Sequence, residues 1–110
     1  VLDLVATQPR QHQAALYSIF KTDSSKKRNE KVYTGQIYDY YKNICCTAGL
    51  RPLTQRRLSD IIAEFDMLGI INAKVISKGR HGRTREITLA THSQLNKKIT
   101  KILEDGLNLS

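Results

Sequence analysis

The stretch IINAKVISKGRHGRTREITL, residues 70–89, decides the fold. In its first half Ile71, Ala73 and Val75 fall on one side of an extended chain, with Asn72 and Lys74 on the other. In its second half Ile87 and Leu89 are expected inward, with Glu86 and Thr88 outward. A period of two over short runs is the pattern of half-buried strands. Between the runs, GRHGR sets two glycines in a short connection, so the strands are expected to fold back as a hairpin. Around its tip stand Lys78, Arg80, His81, Arg83 and Arg85. Charges of one sign repel each other and attract a polyanion, so this tip is shaped for a partner of opposite charge. A merely solvated turn is the plain alternative.

Upstream of Gly69 the period becomes 3.6. Leu58, Ile61, Ile62, Phe65 and Leu68 form one stripe over residues 55–68, with Thr54 at the N-cap and Gly69 at the stop. The connector Leu-Arg-Pro precedes it, and before that residues 35–48 carry Ile37, Tyr41, Ile44, Cys45 and Ala48 on one face, capped by Thr34 and ended by Gly49. Two amphipathic helices joined by a short turn make a helix-turn-helix. A further helix is expected over residues 9–22, with Thr7 or Gln8 at its cap, Pro9 in its first turn, and Ala15, Leu16, Ile19 and Phe20 facing the core. Residues 1–7 read as the end of a preceding element. Residues 23–33 read as a basic loop holding Lys26, Lys27 and Arg28. After the hairpin, residues 92–105 place Leu95, Ile99, Ile102 and Leu103 on one helical side. The expected class is mainly α (α+β), a winged helix-turn-helix in the order α-α-α-β-β-α, forming one domain over residues 1–110.

At 110 residues the chain has room for one modest core. Its 18 Lys and Arg against 10 Asp and Glu leave a net charge of +8, which points to nucleic acid first and an anionic membrane second. No apolar run approaches the roughly 20 residues of a membrane span, so the chain is expected in the cytoplasm, at the nucleoid, with no membrane partner. Cys45 and Cys46 are adjacent, frame no disulfide network and make no zinc spacing; both are expected as buried, reduced thiols. His12, His81 and His92 are scattered and no nucleophile, base and acid stand at catalytic spacing, so neither a metal site nor an enzyme is expected. GRHG matches the G-x-x-G of KH domains, yet that loop joins helices and this one joins strands. It is no P-loop either, for no Gly-Lys-Ser/Thr ending is present.

With its apolar stripe turned to the core, the helix over residues 55–68 leaves Gln55, Arg56 and Ser59 on or near the opposite side. Thr54, Gln55, Arg56 and Arg57 crowd its first turn, where Arg suits guanine, Gln suits adenine and free amides suit phosphate. Asp60 and Glu64 lower the charge beyond that turn, which limits any DNA approach to its front. A slender basic finger fits the narrow, electronegative minor groove. Candidate phosphate contacts are Lys26, Lys27, Arg28, Tyr40 and Arg51. Within YDYYK, Tyr41 belongs to the core stripe, and Tyr38 and Tyr40 flank it with hydroxyls available for phosphates.

The combination of Leu-Thr-Gln-Arg-Arg at Leu53 to Arg57, Leu-Gly-Ile at Leu68 to Ile70 and Gly-Arg-His-Gly-Arg-Thr at Gly79 to Thr84 resembles the C-terminal winged-helix domain of the archaeal Orc/Cdc-type replication initiators. The likeness runs from about Ala14 to Leu103. It implies an origin-binding module that follows an AAA+ ATPase in a longer chain, so ATP or ADP and Mg are expected only in that ATPase and no cofactor here. It also implies double-stranded origin DNA as the partner, with other initiator subunits or the replicative helicase as further ones. Carried to this chain, its DNA contacts fall on Thr54, Gln55, Arg56 and Arg57 in the major groove, and on Arg80, His81, Gly82 and Arg83 in the minor groove. Two other uses of the fold stand beside this: a transcription regulator, for which residues 95–107 would be the dimerisation helix, and a protein-interaction module, which tends to lose the basic wing.

Overall fold

The computed structural model describes residues 2–77 and 83–109. Lys78, Arg80, His81 and Gly82, at the centre of the expected tip, lie outside the described residues. Eight elements follow one another: α1 (Leu2–Ala6), α2 (Arg10–Ser25), β1 (Val32–Tyr33), α3 (Thr34–Ala48), α4 (Gln55–Met67), β2 (Ile71–Ser77), β3 (Arg83–Leu89) and α5 (Ser93–Gly106). The strands form one antiparallel sheet in the order β1-β3-β2. This is the expected winged helix with two additions, α1 and β1.

Helix α2 is the spine. Every residue from Gln13 to Phe20 is buried, a helix enclosed on all sides rather than a single stripe. It packs on α3, α4 and α5. Its two buried polar residues are satisfied locally: Ser18 Oγ donates to the Ala14 carbonyl at 2.7 Å, and the Gln13 amide donates to the carbonyls of Val5 and Ala6 at 3.4 and 3.3 Å. The N-cap is Pro9, not Thr7 or Gln8, and it caps without a side chain. Helix α1 sets Val5 into the core and packs on α5; five residues are too few to show a period.

The loop expected over residues 23–33 is shorter at both ends. Helix α2 runs on through Ser25, and Val32 and Tyr33 pair with Ile87 and Glu86 of β3. Lys31 reaches Glu86 at 3.1 Å, so the outward carboxylate expected at Glu86 is covered by an ion pair. Neutralising Glu86 in this way raises the Lys31 ammonium above its usual range.

The stripes of α3, α4 and α5 are largely as expected. Ile37, Tyr41, Ile44 and Cys45 are buried from α3, and Leu58, Ile61, Ile62 and Phe65 from α4. Gly49 at φ +73 and Gly69 at φ +79 adopt the left-handed backbone that ends a helix, which only Gly reaches without strain. Leu68 departs from its stripe: α4 has already ended at Met67, and Leu68 is 48 % exposed. Cys46 is likewise exposed, against the expectation of two buried thiols; Cys45 is buried, and burial pushes its thiol pKa up. Ile99 and Leu103 of α5, with Leu107 behind them, are buried, which spends the stripe a dimerisation helix would offer. Within the hairpin, Ile71 and Ile87 are core residues, whereas Val75 is 51 % exposed because the strands extend past the core they cover.

The connector between α3 and α4 is fixed by side chains. A Pro-containing turn has no ladder to satisfy its peptide groups, so other donors and acceptors must supply partners. The Tyr41 hydroxyl accepts from the Leu53 amide at 3.0 Å and donates to Gln11 Oε1 at 2.5 Å. The Tyr38 hydroxyl donates to the Leu53 carbonyl at 3.0 Å, and Gln11 Nε2 donates to the Arg51 carbonyl at 2.7 Å. Tyr38 therefore holds the turn and does not offer its hydroxyl to a phosphate. Tyr41→Phe is expected to cost about 1 to 3 kcal/mol by leaving the Leu53 amide and Gln11 without their partner, read from urea unfolding; Tyr40→Phe should stay within about 0.5 kcal/mol.

Burial pushes the Tyr41 hydroxyl up to about 12, and burial together with a 3.0 Å hydrogen bond to Glu104 does the same for Tyr17. Both groups ionise more easily unfolded, at about 10, so they favour the native state up to that pH and the preference is lost as the pH rises through 12. An alkaline absorbance titration should show two of the five tyrosines ionising near 12, with stability falling from pH 10 upward.

Candidate nucleic-acid interface

Helix α4 begins with the residues its cap requires. Thr54 holds extended backbone at φ −69 and ψ 161, and its Oγ1 accepts from the Arg57 amide at 3.2 Å. The cap aligns the first turn, and Gln55, Arg56 and Arg57 project into solvent from it. The opposite side of the helix is the core stripe, so these three cannot turn inward without burying charge.

The hairpin meets this front. An open cleft of about 500 Å³ is lined by Gln55, Arg56 and Ser59 of α4, by Val75 of β2, by Thr84 and Arg85 of β3, and by Thr34 of α3. Arg85 Nε donates to Ser59 Oγ at 3.2 Å, and the Arg85 amide donates to Thr34 Oγ1 at 3.3 Å. Both ends of Arg85 are thus held, its peptide by the start of α3 and its guanidinium by α4. No Asp or Glu among the described residues lines the cleft. Two of the acids of α4 are engaged elsewhere: Glu64 reaches His12 at 2.8 Å, and Asp66 accepts from the Ala73 amide at 3.2 Å.

Of the residues singled out from sequence, the cleft brings together Gln55, Arg56, Ser59 and Arg85. Thr54 stands beside it as the cap, and Arg57 is exposed on the same first turn without lining it. Arg83 begins β3, opposite Ser77. The other candidates scatter. Lys26 is 3.1 Å from Asp23, which offsets its charge, while Lys27 and Arg28 are exposed in the loop before β1. Arg51 is exposed on the connector. Tyr40 is half-buried and near enough to Tyr17 to add to the rise of that hydroxyl. Among the described residues no group of three His, Cys, Asp or Glu is placed to hold a metal, and no helix is long and apolar enough to cross a membrane.

Thr34, Val75 and Thr84 were missed as site residues. Thr34 was assigned as a cap, whereas α3 begins at Thr34 itself and its hydroxyl serves Arg85. Val75 carried a signal that pointed inward; inward at this height of the hairpin means toward α4, past the edge of the core.

The model of the CDC6 C-terminal winged helix domain matches residues 3–98. The chain is 43 % identical over 105 residues to the ORC1-type DNA replication protein 1 of Methanosarcina acetivorans, covering 96 % of this chain and 25 % of that protein. It is 49 % identical over 87 residues to the ORC1-type DNA replication protein of Pyrococcus horikoshii, covering 79 % of this chain and 20 % of that protein. Among solved structures it is similar to the ORC1 protein of Aeropyrum pernix, determined in complex with DNA, at a TM-score of 0.78 and 37 % identity over 94 % of this chain and 25 % of that one. The chain spans about a quarter of the length of these relatives.

Because the front of α4 hangs on one hydroxyl, Thr54→Ala should destabilise the domain by about 0.5 to 2 kcal/mol, and Thr54→Ser should recover most of that. Thermal unfolding of the three proteins decides it; equal midpoints would remove Thr54 from the cap.

Proposed function

This chain belongs to the CDC6 C-terminal winged helix family, and from that we propose that it binds double-stranded DNA at replication origins, with the front of α4 in the major groove and the hairpin tip in the minor groove. The cleft carries the reading. Residues of α4 and of the hairpin line one open concavity free of carboxylate among the described residues, which supports a reading in which the two elements meet a duplex from one side. Gln55 and Arg56 are the residues to read base edges, where a bidentate Arg recognises guanine and Gln recognises adenine. Arg57 and Thr54 serve the backbone beside them. Lys78, Arg80, His81, Gly82 and Arg83 form the minor-groove finger, and Lys27, Arg28 and Arg51 are outlying phosphate contacts.

The relative from Aeropyrum pernix, solved with DNA, supports the partner class. A nucleotide-driven activity, with ATP or ADP and Mg, belongs in this reading to the part of the longer relatives outside the match, and the role of this chain is recognition. Other initiator subunits or the replicative helicase would be met by the whole assembly, in the cell interior at the nucleoid. A regulator built on α5 as a dimerisation helix is disfavoured because α5 spends its stripe on α1 and α2.

Footprinting on origin and scrambled duplexes tests the reading; equal protection of both would reject origin selectivity. Arg80→Ala combined with Arg83→Ala should weaken binding to every duplex and flatten the slope of log affinity against log salt by roughly one to two units. A fluorescence titration showing the same slope and affinity as the parent would reject the finger. Arg56→Ala should cost about 1 to 3 kcal/mol on the preferred site and little on random DNA; an equal loss on both would make it a phosphate contact.

A further inference from the structure

Two elements that enter adjacent grooves of one duplex must straddle the sugar-phosphate strand between those grooves. Within the cleft the hydrogen bond from Arg85 to Ser59 joins the hairpin to α4, and these two residues with Thr84 and Val75 form a floor between the elements. We propose that this floor seats one backbone phosphate of the straddled strand, with Arg85 as its ligand and Ser59 as the residue that positions Arg85. This rests on the duplex reading above and gives both residues a specific role: Arg85, counted from sequence among the residues around the hairpin tip, serves the strand between the grooves, and Ser59 holds it there.

The geometry is that of a prepared anion site. Arginine has five N–H donors in a planar fork. Its Nε is spent on Ser59 Oγ at 3.2 Å, which fixes the plane of the guanidinium and leaves the pair of terminal nitrogens for two oxygens of one phosphate. The Arg85 peptide is pinned at the same time, its amide on the hydroxyl of the buried Thr34 at 3.3 Å. A side chain held at both ends loses little further freedom on binding, which favours affinity. The Ser59 hydroxyl, which accepts from Arg85, still has its own proton to give, and Arg56 across the cleft adds a second positive charge. Val75, 51 % exposed beside these polar groups, is an apolar surface suited to the deoxyribose next to the phosphate. No carboxylate among the described residues lines the cleft to repel a phosphate there.

The experiment uses a duplex that the domain protects in footprinting, rebuilt as a series in which one phosphate at a time is a neutral methylphosphonate. For the parent protein one position in the strand between the two contacted grooves should lower affinity about tenfold. Arg85→Ala should lower affinity by a similar factor, reduce the salt slope by roughly one unit, and no longer respond to that position. Ser59→Ala should lower affinity about two- to fivefold with the slope unchanged, because it orients the charge and does not supply it. Arg85→Lys keeps the slope and loses affinity, which separates charge from fork geometry should the alanine variant fold poorly. A response of Arg85→Ala to that methylphosphonate as large as the parent's would overturn the assignment, as would an Arg85→Lys variant that binds with the parent's affinity. Absence of binding to every duplex would sink the duplex reading itself, a different failure from the loss of one phosphate contact.

Discussion

The orientation of α4 depends on how the backbone of one residue, Leu53, is held. It lies one residue before the cap of α4, in a turn with Pro52 that offers its backbone no ladder. Its amide donates to Tyr41 and its carbonyl accepts from Tyr38, both on α3. Tyr41 in turn is locked to Gln11 of α2, which also holds the Arg51 carbonyl. Hydrogen bonds between neutral groups contribute modestly one at a time, but leaving such a group unpaired costs more. The four contacts therefore act as a directional constraint: α4 starts where α2 and α3 together permit, and the front of α4 inherits that position. The tyrosine rings fill the core beneath, stacked at 6.0 Å, so packing and polar registration fall on the same residues.

From that start, the cleft follows from two periodicities. The 3.6-residue stripe of α4 buries Leu58, Ile61, Ile62 and Phe65 and so turns Gln55, Arg56 and Ser59 toward the hairpin. The two-residue alternation of β3 sets Arg85 on the same face as Ile87, and the register with β2 places Val75 opposite it. Ile87 is over the core and Arg85 is two residues farther out, where the core has ended and α4 continues. A basic residue on the inward face of a strand would be costly to bury; here it meets a hydroxyl and open solvent instead.

Much of this was legible because it is periodic. The helix-turn-helix, the hairpin, both left-handed glycines and the basic front of α4 all follow from residue spacing and cap chemistry. What escaped was set by tertiary contact. Val32 and Tyr33 form a strand because β3 lies beside them, and two residues leave no alternation to read. Helix α1 is equally short. Gln13 to Phe20 is enclosed on every side, which a stripe of four apolar residues did not announce, since Gln13 and Ser18 are buried with backbone partners rather than with side chains. Tyr38 looked available to a phosphate because its partner, a carbonyl, carries no sequence signature. Val75 and Leu68 kept the correct period and failed on extent: alternation tells which way a side chain points, and only the folded core tells how far the covered area reaches.

The distribution of carboxylates bears on why the net charge is felt at one place. Asp23 faces Lys26, Asp39 faces Lys42, Glu86 faces Lys31, and Glu64 faces His12. Glu104 accepts from Tyr17 and Asp66 from the Ala73 amide. Surface pairs of this kind add little stability. Their effect is spatial, for each one cancels charge locally and leaves the excess of +8 to reside elsewhere. The cleft, with Arg56 and Arg85 and no acid among its described lining residues, is one of the places where positive charge stays uncancelled. The Ser59 and Thr34 hydroxyls anchor Arg85 in the cleft that Arg56 also lines. Two positive charges that face one opening free of acid favour a partner of negative charge over a neutral one.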